Sequence, residues 1–465
     1  MSLAAESPVH SSSSSDDFAA FLDAELDVAS SDTSPDEDQD DEENDDDEED
    51  FQEPSAKRQK VEDLEPTKEL EGSNVNTSSE PMDEDICPPH PGFIKGMCMR
   101  CGQIEEDESG VAFGYIHKDL RLNSKEIDRL RGVDLKNLLE AKKLILILDL
   151  DHTVLNSARL VEISAEEEYL RHQALSMQAD ADRSIFELPG MHLLTKLRPF
   201  VRTFLEEATK MFEIYIYTMA DRAYALEIAK ILDPDKVYFD NRIISNADCT
   251  KRHQKGLDVV LGAESLVLIM DDTEIVWQRH KENLILMERY HFFASSRRQF
   301  GFSTKSLSET KKDESESDGI LSIVLNVLKR AHQMFFDAFL EKKLSAKDIT
   351  ELSSRDVRKV LKLIRQEILQ GCKIVFSRVF PSSARAEDQP IWKLAQQLGA
   401  ICSTEVDASV THVVSTDKTT EKARWALQNG KFLVNVHWIE AANFLWSRQR
   451  EEDFQITSSP KNPPD

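Results

Sequence analysis

Three short apolar runs dominate the middle of the chain: Leu144-Ile145-Leu146-Ile147-Leu148, Phe212-Glu213-Ile214-Tyr215-Ile216-Tyr217 and Leu266-Val267-Leu268-Ile269-Met270. Runs of this length bounded by polar residues predict strands, and strands this apolar are buried on both faces, as in a parallel sheet covered by helices. Each run ends in polar residues. The first meets Asp149-Leu150-Asp151-His152-Thr153, the second Thr218, the third Asp271-Asp272. Ionised carboxylates at a buried strand end are costly unless a partner or a metal compensates them. In an open α/β sheet, ligands bind beyond the carboxyl ends of the strands, so the three ends predict one site. Solvated strand ends are the plainer alternative for Asp149 and Asp151 taken alone.

Elsewhere the period changes. Ile320, Ile323, Val324, Val327, Phe335, Phe336 and Phe339 recur at helical spacing, and Arg355 to Leu369 repeats the pattern. Both predict amphipathic helices packed on a neighbouring domain. From Gly371, strands at Lys373–Phe376, Thr411–Val414 and Phe432–Val434 alternate with helices near Trp392–Leu398 and Lys422–Asn429. That alternation predicts a small parallel α/β sheet. Asn156 to Leu194, rich in Glu, Ala and Leu, predicts a helical cap. Ser303 to Asp318 is polar and charged and predicts a linker.

The 465 residues suffice for two or three domains. The net charge of −29 is unevenly placed: residues 1–86 hold 30 acidic and 4 basic residues. The remainder is near neutral. Residues 36–50 are acidic at every position except Gln39 and Asn44, a block that repels itself and predicts a disordered tail over 1–86. A solubilising tail is the plain expectation; an autoinhibitory or targeting tail that mimics a phosphorylated substrate is the sharper one. Its charge argues against direct nucleic-acid binding. Phe18, Phe21, Leu22 and Leu26 at helical spacing among acids fit a segment that folds on a partner. Lys57-Arg58-Gln59-Lys60 fits a nuclear import signal. No secretory pattern opens the sequence, and no apolar stretch is long enough to span a bilayer.

Cysteine spacing adds a second site. Cys87-x-x-His90 is followed by Cys98-x-x-Cys101, with Gly96 and Gly102 beside the second pair. Two pairs at this spacing fit a tetrahedral metal, and three thiolates with one imidazole select Zn²⁺ in a structural role. A disulfide or idle thiols are the alternative. Cys249, Cys372 and Cys402 are isolated and predict buried, unreactive side chains.

Asp149-Leu150-Asp151-His152-Thr153 carries the Asp-x-Asp-x-Thr pattern, and Leu197-Arg198-Pro199-Phe200, Tyr217-Thr218-Met219-Ala220, Lys255-Gly256-Leu257-Asp258 and Asp271-Asp272 with Val276-Trp277 follow in order. This series resembles the haloacid-dehalogenase-like phosphatases, and within them the TFIIF-associating phosphatases of the RNA polymerase II C-terminal domain. The resemblance implies a Rossmann-like α/β phosphatase domain. It implies Asp149 as the nucleophile that forms an aspartyl-phosphate. Asp151 would protonate the leaving serine oxygen and then deprotonate water, with Thr153 orienting it. Thr218 and Lys255 would hold the phosphoryl oxygens, although Lys251 and Arg252 compete for the lysine position. Asp149, the Asp151 carbonyl and Asp272 would ligate Mg²⁺, with Asp271 beside them ordering the metal's waters or Lys255. Arg198 and Tyr217 would contact substrate, and Arg198, Arg202, Arg222, Lys251 and Arg252 would steer an anionic peptide. His152 is given no catalytic role.

Thr411-His412-Val413-Val414, Gly430 to Val434 and Trp438 resemble a BRCT domain. In such domains a hydroxyl after the first strand and a lysine on the second helix bind phosphoserine; Ser377 and Lys422 fall there. Trp438 would pack the last helix into the core. The expected organisation is therefore 1–86 acidic tail, 87–104 zinc-knuckle-like segment, 135–302 phosphatase domain, 303–370 linker and helices, and 371–456 BRCT domain. This order resembles the plant C-terminal-domain phosphatase-like proteins. It implies a nuclear protein serine/threonine phosphatase acting on the phosphorylated polymerase tail, with TFIIF as a further partner and neither nucleic acid nor membrane. The alternative is a phosphopeptide-binding transcription scaffold with weak or partner-dependent turnover.

Overall fold

In the computed structural model, residues 87, 89–104, 110–178, 180–340, 343–381 and 383–456 are described. The expectations for the acidic tail, the Phe18 stripe and the Lys57 run lie outside these residues. The described residues from His90 to Ile456 belong to one compact unit.

Strands β1 (Gly92–Ile94), β2 (Met97–Cys98), β3 (Val111–Ala112) and β4 (Leu120–Leu122) form an antiparallel sheet in the order β2-β1-β4-β3. The sequence pattern gave no hint of β3 and β4, because two- and three-residue strands carry no readable period. Helix Ser124–Glu140 follows, capped by the Asn123 side chain, which accepts from the Glu126 N–H at 2.8 Å.

The central sheet is parallel, in the order β10-β9-β5-β11-β12, from β5 (Leu144–Leu148), β9 (Phe212–Tyr217), β10 (Ile243–Ile244), β11 (Val267–Asp271) and β12 (Leu284–Leu286). All five residues of β5 and of β11 are buried, as apolar strands covered on both faces must be. Register does the positioning. Leu148 lies opposite Ile216 on one side and Met270 on the other. Asp149, Thr218 and Asp271 therefore emerge at one edge.

The insert between the first two motifs is not a helical cap. It is mainly an antiparallel sheet, β6-β8-β7, of β6 (Leu155–Arg159), β7 (Ile185–Leu188) and β8 (Leu193–Leu197), with one helix, Glu168–Ser176. The Glu- and Ala-rich centre is helical, but the flanks, which carry Leu155, Ile185, Phe186, Leu193, Leu194 and Leu197, pair across the insert. Lys196-Leu197 ends β8; the helix starts only at Val201, after a turn in which Phe200 has φ 73°.

Ser303 to Asp318 is not a free linker. Ser306 caps a short helix, Leu307–Thr310, and Ser306 and Ser308 are buried. Asp313 pairs with Lys196 at 2.7 Å and Glu314 with Arg198 at 2.7 Å. These few residues anchor the segment to the phosphatase domain, while most of its other polar residues are exposed.

Helices Ile320–Phe336, Ala346–Ser353 and Val357–Ile368 join this layer to a second parallel sheet, β14-β13-β15-β16. Its strands are β13 (Lys373–Ser377), β14 (Ile401–Ser403), β15 (His412–Ser415) and β16 (Phe432–Val434). Trp438, fully buried on helix His437–Phe444, stacks on His412 with ring centroids 4.5 Å apart and donates to the Gln449 carbonyl at 2.9 Å. Helix Val357–Ile368 touches both halves: Arg365 donates to the Leu284 carbonyl at 2.6 Å and lies 5.0 Å from the Trp446 ring centroid.

Candidate active site

A cavity opens over the carboxyl edge of the central sheet, lined by Asp149, Asp151, Thr218, Lys255, Asp271 and Asp272 and walled by Leu193, Met219 and Val276. The carboxylates of Asp149, Asp271 and Asp272 lie within 4.8 Å of one another. Lys255 sits between two of them. Its ammonium is 2.6 Å from Asp149 Oδ1 and 2.6 Å from Asp271 Oδ2. Lys251, its competitor in the sequence, is exposed and absent from this cavity.

Burial pushes the Asp149 carboxyl well above its usual range; Lys255 opposes this, and Asp271 and Asp272 reinforce it. Burial works against the Lys255 ammonium, but Asp149 and Asp271 outweigh it and hold the lysine charged. Lys255, with Arg289 on Asp272, still leaves three crowded carboxylates short of positive charge, an arrangement that suits a cation. The two neighbouring acids differ in freedom. Asp271 Oδ2 also accepts from Trp277 Nε1 at 2.8 Å, and its Oδ1 from the Thr273 N–H at 2.8 Å. Asp272 is bound by Arg289, 2.5 Å from Oδ2, and by the Thr273 hydroxyl at 3.2 Å. Asp271 is thus taken up in fixing Lys255, while Asp272 keeps Oδ1 without a hydrogen-bond partner among the described residues.

Asp151 is oriented by a residue that sequence pattern does not mark. Tyr224, on helix Arg222–Leu232, donates its hydroxyl to Asp151 Oδ1 at 2.6 Å and contacts Ser157 Oγ at 2.9 Å, which meets Thr195 Oγ1 at 2.9 Å. Burial, then Asp151, pushes this phenol well above its usual range, so it remains a donor. Thr153 does not take that part: it is fully buried and its hydroxyl has no partner among the described residues. Thr218, buried at the end of β9, accepts from the Ala220 N–H at 3.0 Å and faces the cavity. His152 lines the cavity at φ 61° and packs its ring 5.2 Å from His291.

Other expected contacts fall elsewhere. Arg198 is buried and turned from the cavity, donating to Glu314, to the Thr153 carbonyl at 2.9 Å and to the Glu288 carbonyl at 3.0 Å. It ties three segments behind the site and is corrected from substrate contact to internal ion pair. Tyr217 is likewise buried; its hydroxyl accepts from the Gly256 N–H at 3.2 Å, and the ring lies 5.7 Å from the Lys255 ammonium. It supports the lysine from behind. Arg202 and Arg222 donate to the backbone carbonyls of Arg183 and Ile243, and none of the five steering cations lines the cavity. In the second sheet, Ser377 donates to Thr420 at 2.8 Å and Lys422 to the Thr404 carbonyl at 2.6 Å. Thr420 caps the helix Glu421–Gln428 that carries Lys422.

His90, Cys98 and Cys101 lie together, their ligand atoms within 4.8 Å, with Cys101 Sγ 3.5 Å from His90 Nδ1. Gly96 and Gly102 adopt φ 75° and 74° beside Cys98 and Cys101. Cys372 is buried and Cys402 half-buried, where burial pushes its thiol up to about 12.

A buried carboxylate, a second carboxylate two residues on, a lysine and two further acids gather at one edge of the parallel sheet, an arrangement suited to phosphoryl chemistry. Residues 144–318 match the NLI interacting factor-like phosphatase family, and residues 365–442 match the BRCA1 C Terminus (BRCT) domain. The chain is 56% identical over 459 residues to RNA polymerase II C-terminal domain phosphatase-like 4 of Arabidopsis thaliana, covering 98% of each protein. It is 40% identical over 351 residues to the Arabidopsis phosphatase-like 3, covering 73% of this chain and 27% of that one. Among solved structures it resembles the fission yeast RNA polymerase II CTD phosphatase Fcp1 bound to beryllium fluoride, with 25% identity and a TM-score of 0.55, covering 71% of this chain and all of that one. The chain belongs to the RNA polymerase II C-terminal domain phosphatases, with a phosphatase domain of the NLI interacting factor-like type and a BRCT domain.

Proposed function

We propose that this chain removes phosphate from phosphoserines of the RNA polymerase II C-terminal repeats through an aspartyl-phosphate on Asp149, and so regulates transcription in the nucleus. The observation that carries the chemistry is the Lys255 ammonium held 2.6 Å from Asp149 at the strand edge. The substrate class comes from the 56% identity across the full length of a protein named for that activity. Asp149 attacks phosphorus and the serine oxygen leaves. Asp151, held by Tyr224, supplies the proton to that oxygen and later takes one from water. Thr218 and Lys255 meet the equatorial oxygens as charge gathers on them.

Asp149 and Asp272, with the backbone carbonyl of Asp151, would hold Mg²⁺, and Asp271 would hold Lys255. Mg²⁺ takes oxygen ligands and keeps several waters, and the Asp149 and Asp272 carboxylates, within 4.8 Å of each other, would supply two of those oxygens. When bound, it would offset the repulsion between two anions. For Zn²⁺ the proposed ligands are Cys87, His90, Cys98 and Cys101. A tetrahedral zinc with Zn–S of about 2.3 Å and Zn–N of about 2.0 Å puts a sulfur and a nitrogen about 3.5 Å apart. That is the separation of Cys101 and His90.

The test is phosphate release from a doubly phosphorylated heptad peptide, with Mg²⁺ and with EDTA, for the natural chain and Asp149→Asn. Turnover that needs the metal and disappears in the variant is expected. No release from folded, Mg²⁺-replete protein would move the assignment to a phosphopeptide-binding scaffold.

A further inference from the structure

Lys255 serves Asp149 and Asp271, but Asp272 has its own cation. Arg289 lies just beyond β12, with Nε 2.5 Å from Asp272 Oδ2 and Nη2 donating to Thr273 Oγ1 at 2.9 Å. Its guanidinium carbon is 4.3 Å from the Phe300 ring centroid, so an aromatic face holds the group from the other side. The Asp272 side chain is only 6% exposed, which keeps water from screening the pair. Guanidinium is planar and stays charged at every working pH.

We propose that Arg289 is a positioning residue that sets the divalent-cation affinity of the acidic cluster through Asp272. It occupies Oδ2 of Asp272, and as a permanent positive charge beside the cluster it opposes the charge of any cation that binds there. Lys255 cannot do this for Asp272, because its two short contacts are both spent on other carboxylates. The inference rests on the cation proposed above for Asp149 and Asp272.

The test is a calorimetric titration of the full chain with Mg²⁺ alone, without substrate. Arg289→Gln removes the charge and is expected to bind Mg²⁺ about tenfold more tightly, the order expected for removing one like charge several ångströms away at a partly exposed site. Arg289→Lys keeps the charge and is expected to stay within about twofold of the natural chain. If the glutamine variant melts early, Arg289→Met keeps the apolar stem against Phe300 and carries the same expectation. Equal or weaker binding in the neutral variants, with binding in the natural chain lost in Asp272→Asn, overturns the role of Arg289 and leaves the cation site standing. No Mg²⁺ binding by the natural chain overturns both.

Discussion

Asp149 and Asp151 are two residues apart, yet their surroundings differ. Asp149 is buried against a lysine and two acids; Asp151 accepts a hydrogen bond from the Tyr224 phenol. Tyr224→Phe keeps the ring and removes the hydrogen bond. It is expected to lower kcat about tenfold or more with little change in melting temperature, since an unoriented acid loses part of its contribution. Stopped-time phosphate release on the heptad peptide would check it, and an unchanged kcat would remove Tyr224 from the mechanism. Asp149, Asp271 and Asp272 were legible in the sequence, since charge at the end of an apolar strand is conspicuous, whereas Lys255 followed only from the family resemblance, with Lys251 and Arg252 competing. Tyr224 was not, because a tyrosine on the buried face of a helix reads as packing; Arg289 likewise follows a strand without any pattern of its own. His291 is a different case. Burial, with His152 and nearby arginines, lowers its pKa to about 2 against about 6.5 for an unfolded histidine. The folded state therefore refuses a proton that the unfolded state accepts. Its contribution to stability is complete above about pH 6.5 and is lost as pH falls below that, by up to about 1.4 kcal/mol per unit. His291→Gln should flatten the acid limb between pH 7 and 5 in urea unfolding; an identical slope would contradict it.

At the scale of elements, the segment from Ser303 to Asp318 shows how composition misleads. Serines, lysines and acids look like a linker until a few of them, Ser306, Ser308, Asp313 and Glu314, find buried partners. Arg198 is 1% exposed and its guanidinium is kept charged by Glu314, against the cost of burial. Removing one partner of a buried ion pair leaves the other uncompensated, at roughly 3–5 kcal/mol. Glu314→Ala should therefore lower stability by about that amount and open residues 303–318 to protease before the rest of the domain unfolds. A melting curve and a limited-proteolysis time course would read both. If the variant melts like the natural chain, the strap is a surface contact after all. The same lesson holds for the insert, where the helical centre was legible and the pairing of its flanks was not. Sheet partners separated by tens of residues leave no local signal.

At the scale of the molecule, helix Val357–Ile368 joins the two sheets through one close approach. Gly399 has φ +94°, and a Cβ there would lie 1.9 Å from the Gln366 carbonyl oxygen. No side chain fits between the helix and the turn. Gly399→Ala is expected to cost about 2 kcal/mol or more, from the left-handed backbone and the clash together. Calorimetry should show a melting transition lowered by several degrees, while hydrolysis of a small phosphate ester by the folded protein stays near normal. An unchanged transition would mean that the junction yields easily.

The chain alone determined the class of both parallel sheets and the three apolar strands with Asp149, Thr218 and Asp271-Asp272 at their ends. Those features are encoded locally, by apolar runs and the polar residues that interrupt them. Tertiary structure decided what those residues face. It turned Arg198 and Tyr217 inward, gave the orienting of Asp151 to Tyr224 rather than Thr153, and kept Ser377 and Lys422 on separate partners. The reason is physical: a strand's burial follows from its own side chains, whereas a hydrogen bond or ion pair depends on which distant segment the fold brings within about 3 Å.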